Sequence, residues 1–309
     1  MKNLKAAYLV RILIFGLIFV FTLAGCSSGS KKTESAASSK LASAANTSSV
    51  KSSSVSESSS SKEPVSSSSL PKISGTGVKV LMYHDIMTAQ QKGKVKNGLV
   101  ITTEEFDRQM AILKSAGFET ITPDELYDYI KGKTNLERKI LITFDDGYKT
   151  CGCLAAPILK KYGFRATIFV ITGYLDPTDQ PANTSTFAIQ YLSTNDLSRY
   201  SYALDYGSHT EKMHDEYRSK PMLISKSSSE ILADLSKSRQ KLNGTDSIAY
   251  PFGKYSDKTI QLVKQAGFKM AFTTKPKTVQ PGIDPYEIPR FEVNAPMTDY
   301  HFKTIVGIR

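Results

Sequence analysis

Asp145 and Asp146 stand side by side in LITFDDGYKT, where an apolar, strand-forming run ends on two carboxylates and a glycine. Adjacent ionised carboxylates repel unless a proton or a cation lies between them. A divalent cation bound by one relieves the repulsion and acidifies water. The other carboxylate, unligated, is then placed to accept a proton from that water as a general base. Successive side chains on a strand point to opposite faces, so one Asp faces the cation and the other the substrate. Asp-Gly is also a hairpin signal, but a hairpin needs a second strand directly after Gly147. The chain runs instead through YKTCGC into a helical pattern.

The sequence has four histidines: His84, His209, His214 and His301. His209 and His214 lie in GSHTEKMH, straight after a strand-like run. Five residues apart is wrong for one face of a helix. The two can still meet one ion if the first ends a strand and the second begins the next turn. Two imidazoles and one carboxylate make a facial set with positions left for water and substrate. Such a set suits zinc, with cobalt or nickel as alternatives. Cys151 and Cys153 are too close in sequence for an unstrained disulfide in regular backbone, and read as small packed residues.

The elements that must carry these residues alternate. Strand patterns at VKVLMYH, KILITF, RATIFVITG, YALDYG, SIAYPFG, MAFTT and EIPRFEV are separated by helical ones. TTEEFDRQMAILKSAG opens with a capping box, Thr102 to Glu105, and TPDELYDYIKG with another, Thr122 to Glu125. CLAAPILKKYG, SSEILADLSKSRQKLNG, SDKTIQLVKQAGF and a segment near Met297–Val306 complete the helices. Strand and helix in alternation predict parallel strands with crossover helices. No G-x-G-x-x-G follows the first strand, which disfavours a dinucleotide fold. His84, Asp145–Asp146 and His209 all fall at or just past strand ends. In a (β/α) barrel those positions share one rim, so a distorted (β/α) barrel of about seven parallel strands is expected over residues 72–309.

Two segments precede it. Residues 1–25 carry a basic start (Lys2, Lys5, Arg11) and an apolar stretch, the pattern of an export signal. The ending Leu23-Ala24-Gly25-Cys26 resembles a bacterial lipobox, which implies a lipidated Cys26 that tethers the chain to the outer face of the cell membrane. Residues 26–71 form the tether: serine supplies 21 of the 45 residues after Cys26, with no aromatic, too little apolar surface to fold. Of the formal charge of +11, three units lie in the signal and two in the tether, which leaves +6 for residues 72–309. That mild excess suits an anionic envelope. An exported chain without a long basic run is not expected to bind nucleic acid.

TFDDG at Thr143–Gly147, SHTEKMH at Ser208–His214 and AYPFG at Ala249–Gly253 resemble, in order, the motifs of polysaccharide deacetylases, the NodB-homology group or carbohydrate esterase family 4. The resemblance implies metal-dependent removal of acetyl groups from N-acetylated sugars. It makes Asp145 the general base and Asp146, His209 and His214 the metal ligands. The AYPFG motif would supply a backbone N–H near Phe252 for the oxyanion, with Tyr250 beside it toward oxyanion or substrate. Three departures stand out: the wider histidine spacing, no arginine in the third motif, and no late L-x-H. His301, inside a helical pattern, reads as an ordinary helix-face residue. These departures resemble the biofilm poly-N-acetylglucosamine deacetylases of the intercellular-adhesin type, in which the acid histidine comes from the first strand. On that resemblance His84, in LMYHDI, is the general acid, and Arg290, in IPRFEV, is a candidate for holding Asp145. The expected substrate is poly-β-1,6-N-acetylglucosamine, with peptidoglycan as alternative. A non-catalytic cell-wall carbohydrate-binding lipoprotein is the rival from another class, and no G-x-S-x-G elbow supports a metal-free esterase.

Overall fold

The structure is a computed structural model and describes residues 70–93 and 95–309. The expected signal segment, Cys26 and nearly all of the serine-rich tether lie outside the described residues. Among the described residues, no helix is long and apolar enough to cross a membrane.

Seven parallel strands carry the site: β1 (Lys79–Tyr83), β2 (Lys139–Phe144), β3 (Ala166–Val170), β4 (Leu204–Ser208), β5 (Ser247–Ala249), β6 (Met270–Phe272) and β7 (Phe291–Glu292). Their spatial order is β6-β5-β4-β3-β2-β1-β7. The two ends of the sheet come together ahead of β7, where Ile288 bridges Phe272 in parallel. Two bonds hold that closure: Thr273 N–H to Ile288 O at 2.8 Å and Ile288 N–H to Ala271 O at 2.9 Å. The result is the distorted barrel that the alternation predicts.

Period-two alternation sorts the strand residues. Val80, Leu141, Phe169, Ala249, Phe272 and Ile288 pack together in one buried cluster, the barrel interior. Their neighbours Leu81, Ile142 and Ile168 pack outward against Phe106, Met110 and Leu113 of helix α1 (Thr103–Ser115). Helix α2 (Pro123–Ile130) adds Leu126, Tyr129 and Ile130 to the interior cluster. Gly207 is small because Phe169 fills the space; a Cβ there would lie 2.5 Å from its ring.

The helix signals hold with two differences. Thr122 and Glu125 make the full capping box of α2. Thr102 caps α1, but the Glu105 carboxylate accepts from the Met297 N–H at 3.0 Å, so tertiary contact replaces the reciprocal half of that box. The expected helix after the aspartates is a π-helical turn at Cys151–Ala155 running into α3 (Ala156–Tyr162). Pro157 has no N–H to give the ladder, and the wider turn accommodates its absence. Helices α4 (Ser228–Lys241), α5 (Asp257–Gln265) and α6 (Asp299–Val306) follow.

Candidate active site and metal centre

The alternation that sorts the core also aims the site. Leu141, Thr143 and Asp145 share one parity, so Asp145 follows the barrel interior one residue past β2. Its N–H donates to Tyr83 O at 3.0 Å, which keeps it in line with β1. Asp146 then takes φ 73° and Gly147 φ 79°. The expectation that strand alternation separates the two carboxylates is corrected here: β2 has already ended at Phe144, and a left-handed turn does the separating. Gly147 is required for it, since a Cβ would lie 3.1 Å from Val170 Cγ1 in a backbone region that side chains resist.

His209 follows β4 directly and is buried; its N–H donates to Val170 O at 2.8 Å. Nδ1 lies 2.9 Å from Ala249 O, which makes Nδ1–H the donor and leaves the Nε2 lone pair for a ligand. Nε2 of His209 is 3.6 Å and Nε2 of His214 is 3.3 Å from Asp146 Oδ1. The histidine spacing of five is an anchored loop. Thr210 turns it with φ 72°, and Asp234 of α4 accepts from the backbone N–H groups of Glu211 at 2.9 Å and Lys212 at 2.7 Å. The buried Glu211 carboxylate accepts from Thr172, Lys237 and Lys241. Neither acid carries a sequence signal, because each acts only once α4 has packed on the loop.

These three side chains fit a divalent ion. Their ligand atoms all lie within 4.8 Å of one another. Metal–ligand bonds of about 2.0–2.2 Å put adjacent donors roughly 3.0–3.6 Å apart, the separations seen from Asp146. The protonation states agree. Burial opposes ionisation of Asp146, but His214, His84 and His209 together hold its carboxyl below its ordinary value. Burial pushes His209 down to about 4, against the pull of Asp145, so the imidazole is neutral, the form that ligates.

Asp145 is gripped from inside the barrel. Arg290, fully buried, makes two 2.7 Å bonds to its carboxylate, one from each Nη. The guanidinium also donates to Thr273 O at 2.9 Å and to Thr143 Oγ1 at 3.2 Å, and lies over the Phe169 ring. Burial alone would raise the Asp145 carboxyl; Arg290 outweighs it, with His209 and His84 assisting, and holds the carboxyl well below its usual range. The third motif therefore lacks an arginine because the segment that closes the barrel provides one.

His84 follows β1, and its Nδ1 is buried without a hydrogen-bond partner. It is among the neighbours that favour the ionised form of both aspartates. Phe252 sits in the left-handed region (φ 57°), its ring 4.5 Å from that of His214. Tyr250 is placed otherwise. Its ring is fully buried and stacks on Tyr255, and its hydroxyl donates to Tyr286 O at 3.0 Å, so its side chain does not face the site. Cys151 and Cys153 are free, and the Cys151 thiol donates to His84 O at 3.1 Å. Burial raises both thiols, Cys153 to about 11, which leaves them packed and protonated. His301 is exposed on α6.

Residues 132–271 match the family model described as polysaccharide deacetylase. The poly-beta-1,6-N-acetyl-D-glucosamine N-deacetylase of Staphylococcus aureus is 31% identical over 202 residues, 63% of this chain and 68% of the relative. The chain belongs to the polysaccharide deacetylase family. The protein of the same description from Staphylococcus epidermidis is 30% identical to this deacetylase over 219 residues, 68% of this chain and 74% of the relative. Among solved structures, IcaB from Ammonifex degensii superposes with a TM-score of 0.63 at 25% identity, covering 75% of this chain and 96% of that one. This polysaccharide deacetylase is thus an N-deacetylase, and the cluster at the barrel rim lies where its reaction would be carried out.

Proposed function

We propose that this deacetylase removes N-acetyl groups from poly-β-1,6-N-acetylglucosamine, with a divalent cation, zinc first, held by Asp146, His209 and His214. The gathering of those three donors within 4.8 Å of one another, beside an Arg290-clamped Asp145, is the observation that carries the chemistry. The descriptions of the two staphylococcal relatives support the substrate. The export pattern of residues 1–25 and the lipobox-like ending at Cys26 support a lipid-anchored enzyme on the outer face of the membrane.

A bound cation supplies a Lewis acid for the acetamide carbonyl and lowers the pKa of water. The chain's own residues do the rest. Asp145, ionised and fixed in orientation by Arg290, accepts a proton from the attacking water. The turn at Phe252, against the His214 ring, offers a backbone N–H to the oxyanion. His84 donates a proton to the departing amine as the C–N bond breaks, so acetate and a free glucosamine amine leave the site.

Two measurements test this. Acetate release from β-1,6-linked N-acetylglucosamine oligomers and from purified sacculi, run side by side with zinc, should be substantial only on the oligomers. Release from sacculi alone would overturn the substrate. His84→Asn should lower kcat/KM on the oligomers by about 10²- to 10³-fold with metal content unchanged. Wild-type turnover by that variant would remove His84 from its role.

A further inference from the structure

Resting on the N-deacetylase reading of the site, we propose that Tyr174, Tyr191 and Tyr148 form a stacking platform for the pyranose ring next to the sugar being deacetylated. The three rings run in series from core to surface. Tyr148, two residues past Asp146, is buried and stacks on Tyr191 at 5.5 Å between centroids. Tyr191 meets Tyr174 at 4.9 Å, and Tyr174 is 41% exposed.

Backbone bonds fix this series to the reacting groups. Leu192 N–H donates to Gly147 O at 2.9 Å, and Lys149 N–H to Gln190 O at 2.8 Å, so Tyr191 is strapped to the aspartate turn. Thr172 N–H donates to Thr210 O at 3.0 Å and Gly173 N–H to Glu211 O at 2.8 Å, which seats Tyr174 on the loop between His209 and His214. A Cβ on Gly173 would come within 2.2 Å of Glu211 O, so only glycine permits that approach. The Tyr174 phenol is close enough to feel Asp215 and Asp146, whose charges add to burial in raising its pKa. The connection 175–192 carries no helix or strand of its own. At its far side it accepts bonds from Thr88 and Gln91, just beyond His84. It therefore links the segment that follows His84 to the aspartate turn. Long connections fixed in this way commonly bind ligands.

The chemistry selects a sugar. An aromatic face is electron-rich and attracts the weakly positive C–H face of a pyranose, while the tyrosine hydroxyls suit its hydroxyl rim. Tyrosine also offers rigid area at little entropic cost. One partly exposed ring continuous with the site is too small for a protein partner.

The test compares a β-1,6-linked N-acetylglucosamine pentasaccharide with the disaccharide. Tyr174→Ala should lower kcat/KM on the pentasaccharide about tenfold more than on the disaccharide, chiefly through KM. Tyr174→Phe, which keeps the ring, should restore most of it. Tyr300→Ala, which removes an 82% exposed ring from α6, is the control and should match wild type. Calorimetric binding of the glucosamine pentasaccharide, which carries no acetyl group, separates this claim from the catalytic one. Weaker binding by Tyr174→Ala without any acetate release from wild type would sustain the platform and remove the activity. Equal losses on short and long substrates, or unchanged binding of the glucosamine oligomer, would overturn the platform.

Discussion

His214→Ala and Asp146→Asn are each expected to lose stoichiometric zinc and to release acetate about a thousandfold more slowly or worse. Both side chains belong to the cluster of three donors that gathers at the barrel rim. Removing either leaves two donors, too few to hold a divalent ion against water. His301→Ala is the matching control, because it deletes an imidazole that is exposed on α6. It should keep both metal and rate. Metal analysis after gel filtration, read beside acetate release, checks the pair. Full metal content in His214→Ala would remove that residue from the ligand set.

Arg290→Met should be the most destabilising single change at the site. It leaves the Asp145 carboxylate buried without its two 2.7 Å donors. Breaking a buried pair from one side costs about 3–5 kcal/mol, on the order of 10 °C in Tm for a domain of this size. Activity should fall as well, since Asp145, the base in the proposed reaction, loses both its orientation and its depressed pKa. Arg290→Lys keeps the charge but not the planar fork, and should lie between the two. The pH dependence has a definite sign. The folded carboxyl titrates below its usual 3.8, so the stabilisation is present above that value and fades as pH falls through the folded one. Wild type and Arg290→Met should therefore converge in stability under acid. A constant gap across that window would mean that Asp145 is not the group lost.

Much of this is legible in the sequence, for identifiable reasons. The strands read out because the alternation of Val80–Leu81 or Ile168–Phe169 reflects a barrel that is buried on both faces. The same parity places Asp145 inside, above Thr143. The histidines read out because strand ends converge on one rim. What did not read out depends on distant packing. Arg290 read out only as a candidate for holding Asp145, because its two-pronged grip spans 145 positions and exists only where the segment before β7 completes the barrel. Asp234 and Glu211 act on the histidine loop only after α4 has docked. The left-handed turn at Asp146 was masked by a strand pattern that stops one residue earlier than it seems to. Tyr250 sits in the right motif, but its hydroxyl is committed to Tyr286 on the outer side of the barrel.

X-ray absorption at the zinc edge of the loaded protein addresses the ligand set most directly. The expected spectrum shows two imidazoles and one carboxylate oxygen among the nearest scatterers, and is unchanged in His301→Ala. A spectrum without imidazole scattering, or one with sulfur from Cys151 or Cys153, would contradict a centre built from Asp146, His209 and His214.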